Sequence, residues 1–301
     1  MRICIVGCGY VGLELASQLA DHNHDVTGVR RSESGLKTVE SVSPNVDAVQ
    51  ADVTKPETLA ALPDVDTVVF AASAGGRGAD AARNVYVEGL KNVIEAYGTR
   101  QSSPDRLVYT SSTGVYGDHD GAWVDEETAI DPTTEKTRVL ANAESVALEM
   151  TEDYGKSGTV VRFGGLYGPE RYRLERYLKG PVTAGSLNMV HRVDAAGTIR
   201  YLLSEELAQN MVVLAVDDEP VDKHEFADWL AGECDVNPPE KQTVSQRMAI
   251  GNLSEAARRR LQTNKRCCND RLKALGYEFR YPTFRQGYRS AIENYRSTEG
   301  A

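Results

Sequence analysis

Near its start the chain reads Arg2-Ile3-Cys4-Ile5-Val6, then Gly7-Cys8-Gly9-Tyr10-Val11-Gly12. The β-branched run predicts a strand, and Val11, Leu15 and Leu19 at helical spacing predict a helix over residues 11–20. Between them lies G-x-G-x-x-G, a weak signal alone but one with a mechanism when it joins a strand to an amphipathic helix. Gly7 permits the tight turn, Gly9 lets the backbone approach a pyrophosphate, and Gly12 lets helix and strand pack closely. The first helical turn, with Tyr10 and Val11, then offers free N–H groups and the positive end of the helix dipole to the phosphates.

Outward from this turn, strand and helix signals alternate. Strands are predicted at 25–29, 46–50, 67–71, 106–111 and 159–163, and long helices at 79–97 and 134–154. Such alternation predicts an α/β fold with a Rossmann-type doubly wound parallel sheet and right-handed crossovers. After Gly164 the loops lengthen and the helical segments shorten, to 194–204, 223–234, 253–261 and 283–295. The expected organisation is a dinucleotide-binding domain over 1–163 and a smaller C-terminal substrate lobe over 164–301, packed on the sheet edge. A strand at 211–216 would extend the sheet, and a binding crevice is expected outside the carboxyl ends of the strands.

Composition narrows the class. With 44 acidic against 34 basic residues the chain has a net charge of −10, which argues against nucleic acid as a partner. The bases are 24 Arg and 10 Lys, an acidic, lysine-poor balance that fits a high-salt cytoplasm. No apolar run reaches the ~18–20 residues of a membrane span, and the chain enters its first strand with no room for a signal peptide. A cytoplasmic protein without a membrane partner is expected. Cys4, Cys8, Cys234, Cys267 and Cys268 are odd in number and lack metal spacing, so reduced thiols, no disulfide framework and no metal are expected.

The end of the second strand chooses between dinucleotides. An acidic residue there holds the ribose 2′-hydroxyl, whereas arginine accommodates a 2′-phosphate. This chain has Val29-Arg30-Arg31-Ser32, so NADP(H) is the preferred cofactor, with NAD(H) possible because Glu33 stands close by. Asp52 follows the third strand, placed either to touch the adenine or to cap a helix around 56–61.

Several further segments, in order, resemble the extended short-chain dehydrogenase/reductase family, which includes the NAD-dependent epimerases and dehydratases of nucleotide sugars. Ala71-Ala72-Ser73-Ala74 is similar to its small-residue segment after the fourth strand, and Asn84-Val85, Gly89 and Asn92-Val93-Ile94-Glu95-Ala96 to its central helix. Tyr109-Thr110-Ser111-Ser112-Thr113-Gly114-Val115-Tyr116-Gly117 resembles the strand and loop that carry its catalytic hydroxyl. Arg162-Phe163, Tyr167-Gly168-Pro169 and Val190-His191-Arg192-Val193-Asp194 resemble later landmarks. The resemblance implies a cofactor role for Ala71, Ala72 and Ser73. It also implies a substrate-orienting role for Ser112 beside Thr113, and a homodimer that packs helices 79–97 and 134–154.

The chain departs from the family in its catalytic pair. The family uses Tyr-x-x-x-Lys, whose phenol moves a proton at the substrate oxygen; no such sequence occurs anywhere in this chain. Anchored on Glu144, the tyrosine place falls at Lys136 and the lysine place at Leu140. Lys136 or Arg138 would then polarise a carbonyl, or else be solvated helix charges. Tyr116 would offer a phenol to the cleft or simply pack. In the second lobe Arg171, Arg173 and Arg176, with His191 and Arg192, are candidates to grip an anionic substrate, or to form a surface salt-bridge array and a structural hydrogen bond. Two functions remain open: a dinucleotide-linked oxidoreductase, epimerase or dehydratase acting on a small anionic or nucleotide-linked substrate, and a non-catalytic NADP-binding redox sensor.

Overall fold

The computed structural model describes residues 1–75 and 78–299. Seven strands form the main sheet: β1 (Arg2–Val6), β2 (Asp25–Arg30), β3 (Val46–Gln50), β4 (Thr67–Phe70), β5 (Arg106–Ser112), β6 (Ser157–Phe163) and β7 (Met211–Ala215). Their order is β7-β6-β5-β4-β1-β2-β3. Each pairing from β3 across to β5 is parallel. Bonds from Asn210 N–H to Gly158 O and from Gly164 N–H to Ala215 O set β7 parallel to β6. The order reverses beside β1, and at such a switch point the loops part and leave room for a ligand at the strands' carboxyl ends.

The sheet is legible because its strands are buried on both faces and so read as continuous apolar runs. All four residues of β4 are buried. Val68, Phe70, Leu90, Val93, Tyr109, Val139 and Ala143 belong to one core, which joins the sheet to helices 79–98 and 135–153. Each of those helices contains one π-helical turn, at Asn84–Glu88 and Val146–Met150.

The chain divides into two compact units, not at one point but at several. One unit comprises 1–115, 135–162 and 195–213, the other 116–134, 163–194 and 214–301. One of these divisions, between 162 and 163, lies beside the boundary expected after residue 163, and further crossings fall at 115/116, 134/135, 194/195 and 213/214. Helix Arg192–Ser204 leads back to the sheet's last strand, and the loop after β5 leaves the first unit at residue 116.

The second unit has its own aromatic core of Tyr167, Phe226, Phe284 and Tyr288. Phe226 meets Tyr177, Phe284 and Tyr288 edge to face at 4.9–5.2 Å between ring centroids. Several of its elements carry no sequence signal. Helix Val244–Ala249 buries no residue, and strands such as Trp123–Val124 and Arg266–Cys267 are two residues long, too short for any periodicity to show.

Candidate functional site

At the end of β1 the glycines act through distance. Gly7 has φ +88°, and a Cβ there would lie 2.2 Å from Ala72 Cα, so only glycine lets the end of β1 touch the chain leaving β4. A Cβ on Gly12 would meet Ile5 Cγ2 at 3.1 Å, the close helix–strand approach that the motif requires. At Gly9 the only side chain met is the Arg30 guanidinium, at 3.2 Å. Arg30 folds back over the turn and donates to Cys8 O at 3.2 Å. Cys8 is fully buried and burial pushes its thiol up to about 12, so it packs rather than reacts.

These pieces enclose one cavity of ≈ 320 Å³, lined among others by Gly7, Gly9, Arg30, Arg31, Asp52, Ala72 and Ser73. Tyr10, Val11, Gly12 and Ala71 are not part of its lining, although Tyr10 begins helix Tyr10–Asp21 beside it. Arg31 is exposed and leans over Gly75, whose Cβ would come within 2.5 Å of its guanidinium. Ser32 is the N-cap of helix Glu33–Glu40, accepting from Gly35 N–H at 3.2 Å. Glu33 stands in the first turn with its carboxylate 3.7 Å from Lys37.

Asp52 both lines the cavity and builds a turn, accepting from the Thr54 amide at 3.0 Å and hydroxyl at 2.8 Å. Burial opposes its ionisation, but the Thr54 bonds and nearby Arg31 outweigh it and hold the carboxyl below its usual range. Tyr86, on helix 79–98, takes part as well: its hydroxyl accepts from Ala74 N–H at 3.3 Å and steadies the segment carrying Ala72 and Ser73.

At the end of β5, Ser112 Oγ accepts from Gly114 N–H at 3.1 Å, a local turn that leaves its own proton free to donate. Thr113 is buried. Ser111, one residue earlier, points the other way into a buried ionic set. Its hydroxyl donates to Glu144 at 2.5 Å, and Glu144 pairs with Arg162 at 2.7 Å, both side chains under 10% exposed. This set ties helix 135–153 to the sheet, and nothing in the sequence pattern announced it.

Lys136 and Arg138 lie on the outer side of their helix. Both are exposed, and Arg138 pairs with Glu135 on the helix surface. A helix of 3.6 residues per turn carries the face of Glu144 through Leu140 to Thr137, not to 136 or 138. The structure agrees: a Cβ on Gly114 would lie 3.4 Å from both Ser112 Oγ and Thr137 Cγ2, so those two side chains flank one point.

In the second unit the sequence candidates separate. Tyr116 is fully buried and donates to Asp125 O at 2.6 Å, so it packs. His191 is 2% exposed, its ring 4.0 Å from that of Tyr281, and burial followed by Arg192 and Arg280 pushes it down to about 4. Arg173 adopts a left-handed backbone at the start of helix Leu174–Leu178. Of the three arginines only Arg176 lines a cavity of ≈ 660 Å³ in this unit, where it meets Lys223, Arg247 and Arg260; Arg171, Arg173 and Arg192 do not line it. No carboxylate lines this cavity. Lys223 lacked a signal because it stands alone at the start of a helix, whereas the arginines drew notice as a cluster.

Among the described residues no helix is long and apolar enough to cross a membrane, no group of three or more His, Cys, Asp or Glu could hold a metal ion, and the five cysteines form no disulfide.

Comparison with known proteins follows the same lines. Residues 3–203 match the model of the NAD dependent epimerase/dehydratase family. Protein YeeZ of Escherichia coli K12 is 26% identical over 287 residues, 93% of this chain and 96% of its own. A Methylobacillus flagellatus protein assigned to the NAD-dependent epimerases/dehydratases is 30% identical, with TM-score 0.76 over 98% of both chains. The fold is also that of a Thermus thermophilus UDP-glucose 4-epimerase solved with NAD, 20% identical with TM-score 0.76 over 98% of this chain and 99% of that one. The strand order, the glycine turn and the family match, taken together, make this chain a member of the NAD-dependent epimerase/dehydratase family.

Proposed function

We propose that the protein is an NADP(H)-preferring oxidoreductase, epimerase or dehydratase that acts on a small anionic or nucleotide-linked substrate with a reduced proton-transfer apparatus. The observation that carries this reading is the cavity at the end of β1, where Gly7, Gly9, Arg30, Arg31 and Asp52 converge. Gly7 and Gly9 keep side chains away from the pyrophosphate path. Arg30 and Arg31 present the donors that a 2′-phosphate accepts. A dinucleotide bound there would supply hydride transfer at its nicotinamide ring.

The chain's own part at the reacting end is small. Ser112 donates its free hydroxyl proton to the substrate oxygen, and Thr137 stands beside it. No phenol–lysine pair assists, and general acid–base help is worth about 10²–10⁴-fold, so turnover should fall short of the paired enzymes by that order. In the second unit Arg176, Lys223, Arg247 and Arg260, with no carboxylate in the lining of their cavity, supply cations suited to an anion. The same reading has the protein work in the cytoplasm as a homodimer that pairs helices 79–98 and 135–153.

The test is a turnover screen with phosphorylated and nucleotide-linked sugars, following the reduced cofactor. Slow turnover that Ser112→Ala suppresses and Lys136→Met leaves unchanged is expected. Failure to bind either dinucleotide would remove the reading altogether. Tight cofactor binding with no turnover would favour the second reading, a redox sensor, for which the exposed positions of Lys136 and Arg138 speak.

A further inference from the structure

The cationic cavity of the second unit is lined on one side by residues 243–262, and this segment is built unlike the rest of that unit. Its two helices, Val244–Ala249 and Glu255–Gln262, bury none of their residues fully, so only partial apolar packing, as at Met248 and Leu261, fixes them. Each is specified by its own cap. Thr243 and Gln246 form a reciprocal capping box, and Ser254 accepts from Ala257 N–H at 3.3 Å. Between the helices, Gly251 (φ +82°) has nothing within 4 Å of where a Cβ would stand, and Asn252 (φ +58°) follows in the left-handed region.

The ends, by contrast, are held. Lys241–Gln242 pairs with Val182–Thr183, and the buried Lys265 ammonium donates to Gly117 O at 3.0 Å. One bond tethers the second helix, from Arg259 to Thr133 O at 2.7 Å. Two self-capped helices with fixed ends and a left-handed joint can move as short rigid pieces.

The charges give that motion a cause. Arg247 and Arg260 come from the segment, Arg176 and Lys223 from the body of the unit, and all four line one cavity. Among the described residues none of the four pairs with a carboxylate, in a chain that carries ten more acids than bases. Asp222, next to Lys223, is engaged in capping through His224 N–H at 2.7 Å. Lys223 is largely buried beside Arg176; burial first and then that neighbour work against its positive charge and outweigh the support of Asp222. Like charges facing each other across a cavity repel, and a bound polyanion reverses the sign of the interaction. Ile250, two-thirds exposed, and Leu253 sit on the same lip and would lose water on closure.

We propose that residues 243–262 form a flap that closes on the phosphate group of the substrate, with Arg247 and Arg260 as the residues that decide between a phosphate-bearing substrate and its neutral counterpart. This rests on the reading that the substrate is anionic and adds to it a moving half of the site.

The experiment is hydrogen–deuterium exchange on the whole NADP-loaded protein with and without inorganic pyrophosphate, beside calorimetric titration of pyrophosphate. Exchange over 244–262 should slow by about tenfold on binding. The R247A/R260A double variant should lose that protection while still binding NADP, and Lys223→Met, on the body side, should weaken pyrophosphate binding. Pyrophosphate binding with unchanged exchange over 244–262 would overturn the flap and leave the anionic reading standing. Pyrophosphate affinity that is undetectable, or indifferent to Lys223→Met, would overturn both.

Discussion

The cavity of the first unit and the cavity of the second are built on opposite principles. At the glycine turn, space comes from missing side chains and the charged groups are engaged: Arg30 bonds Cys8 O, and Asp52 is bonded by Thr54. In the second unit, Arg176, Lys223 and the two arginines of segment 243–262 converge, and among the described residues none of the four pairs with a carboxylate. The first is a preformed mould for a rigid ligand. The second stores repulsion that only a ligand relieves. A scaffold for a shared cofactor suits the first arrangement, and discrimination among substrates suits the second.

The difference can be tested by removing charge from each unit. Arg162→Met would strand the buried Glu144 and should cost about 3–5 kcal/mol in chemical denaturation, the usual price of leaving one partner of a buried pair. Lys223→Met, which removes an unpaired and largely buried cation, should leave stability unchanged or raise it by up to about 1 kcal/mol. Equal losses in the two variants would erase the contrast.

Glycine substitutions sharpen the picture of the mould. Gly7→Ala forces a Cβ onto Ala72 Cα in a left-handed turn and should cost on the order of 2–4 kcal/mol in the same assay. At Gly9→Val the nearest side chain is the end of Arg30, at 3.2 Å from the Cβ position, which can shift at the cost of its bond to Cys8 O, so the fold should survive while dinucleotide binding is lost. Gly9→Val with undiminished affinity would mean that the pyrophosphate lies elsewhere.

A smaller effect concerns pH. Burial, and then Arg176, lower the Lys223 pKa in the free protein, and a bound anion should raise it again. Binding then takes up a proton between those two values. Pyrophosphate affinity should therefore fall as pH rises through the depressed Lys223 pKa, below the range where an ordinary lysine titrates. In Lys223→Met that component of the pH dependence should vanish.

What the sequence could tell follows the same division. The sheet and the glycine turn read locally: strand, turn and helix lie within some twenty residues, although the contacts met at Gly7 and Gly9 come from Ala72, just past β4, and Arg30, at the end of β2. Arg30, Arg31 and Asp52 were legible because they stand at the ends of strands whose order is fixed. The buried Ser111–Glu144–Arg162 set joins residues up to 51 positions apart, and no periodicity encodes it. Lys136 and Arg138 were singled out by spacing counted from a motif that this chain lacks; both are exposed, and the helical face that carries Glu144 leads to Thr137. Lys223, Arg247 and Arg260 were invisible for the plainest reason, that isolated basic residues in an acidic chain look like surface until the fold gathers them.

The central claim is that the glycine-turn cavity holds a dinucleotide and that its arginines choose NADP(H). Calorimetric titration of NADPH and NADH into the wild type and a double Arg30→Ala, Arg31→Ala variant tests it directly. The account predicts that NADPH binds more tightly by about 1.5–3 kcal/mol, the worth of charge-assisted bonds to the 2′-phosphate, and that the double variant loses this preference while still binding NADH. Equal wild-type affinities, or a preference that survives in the variant, would contradict it.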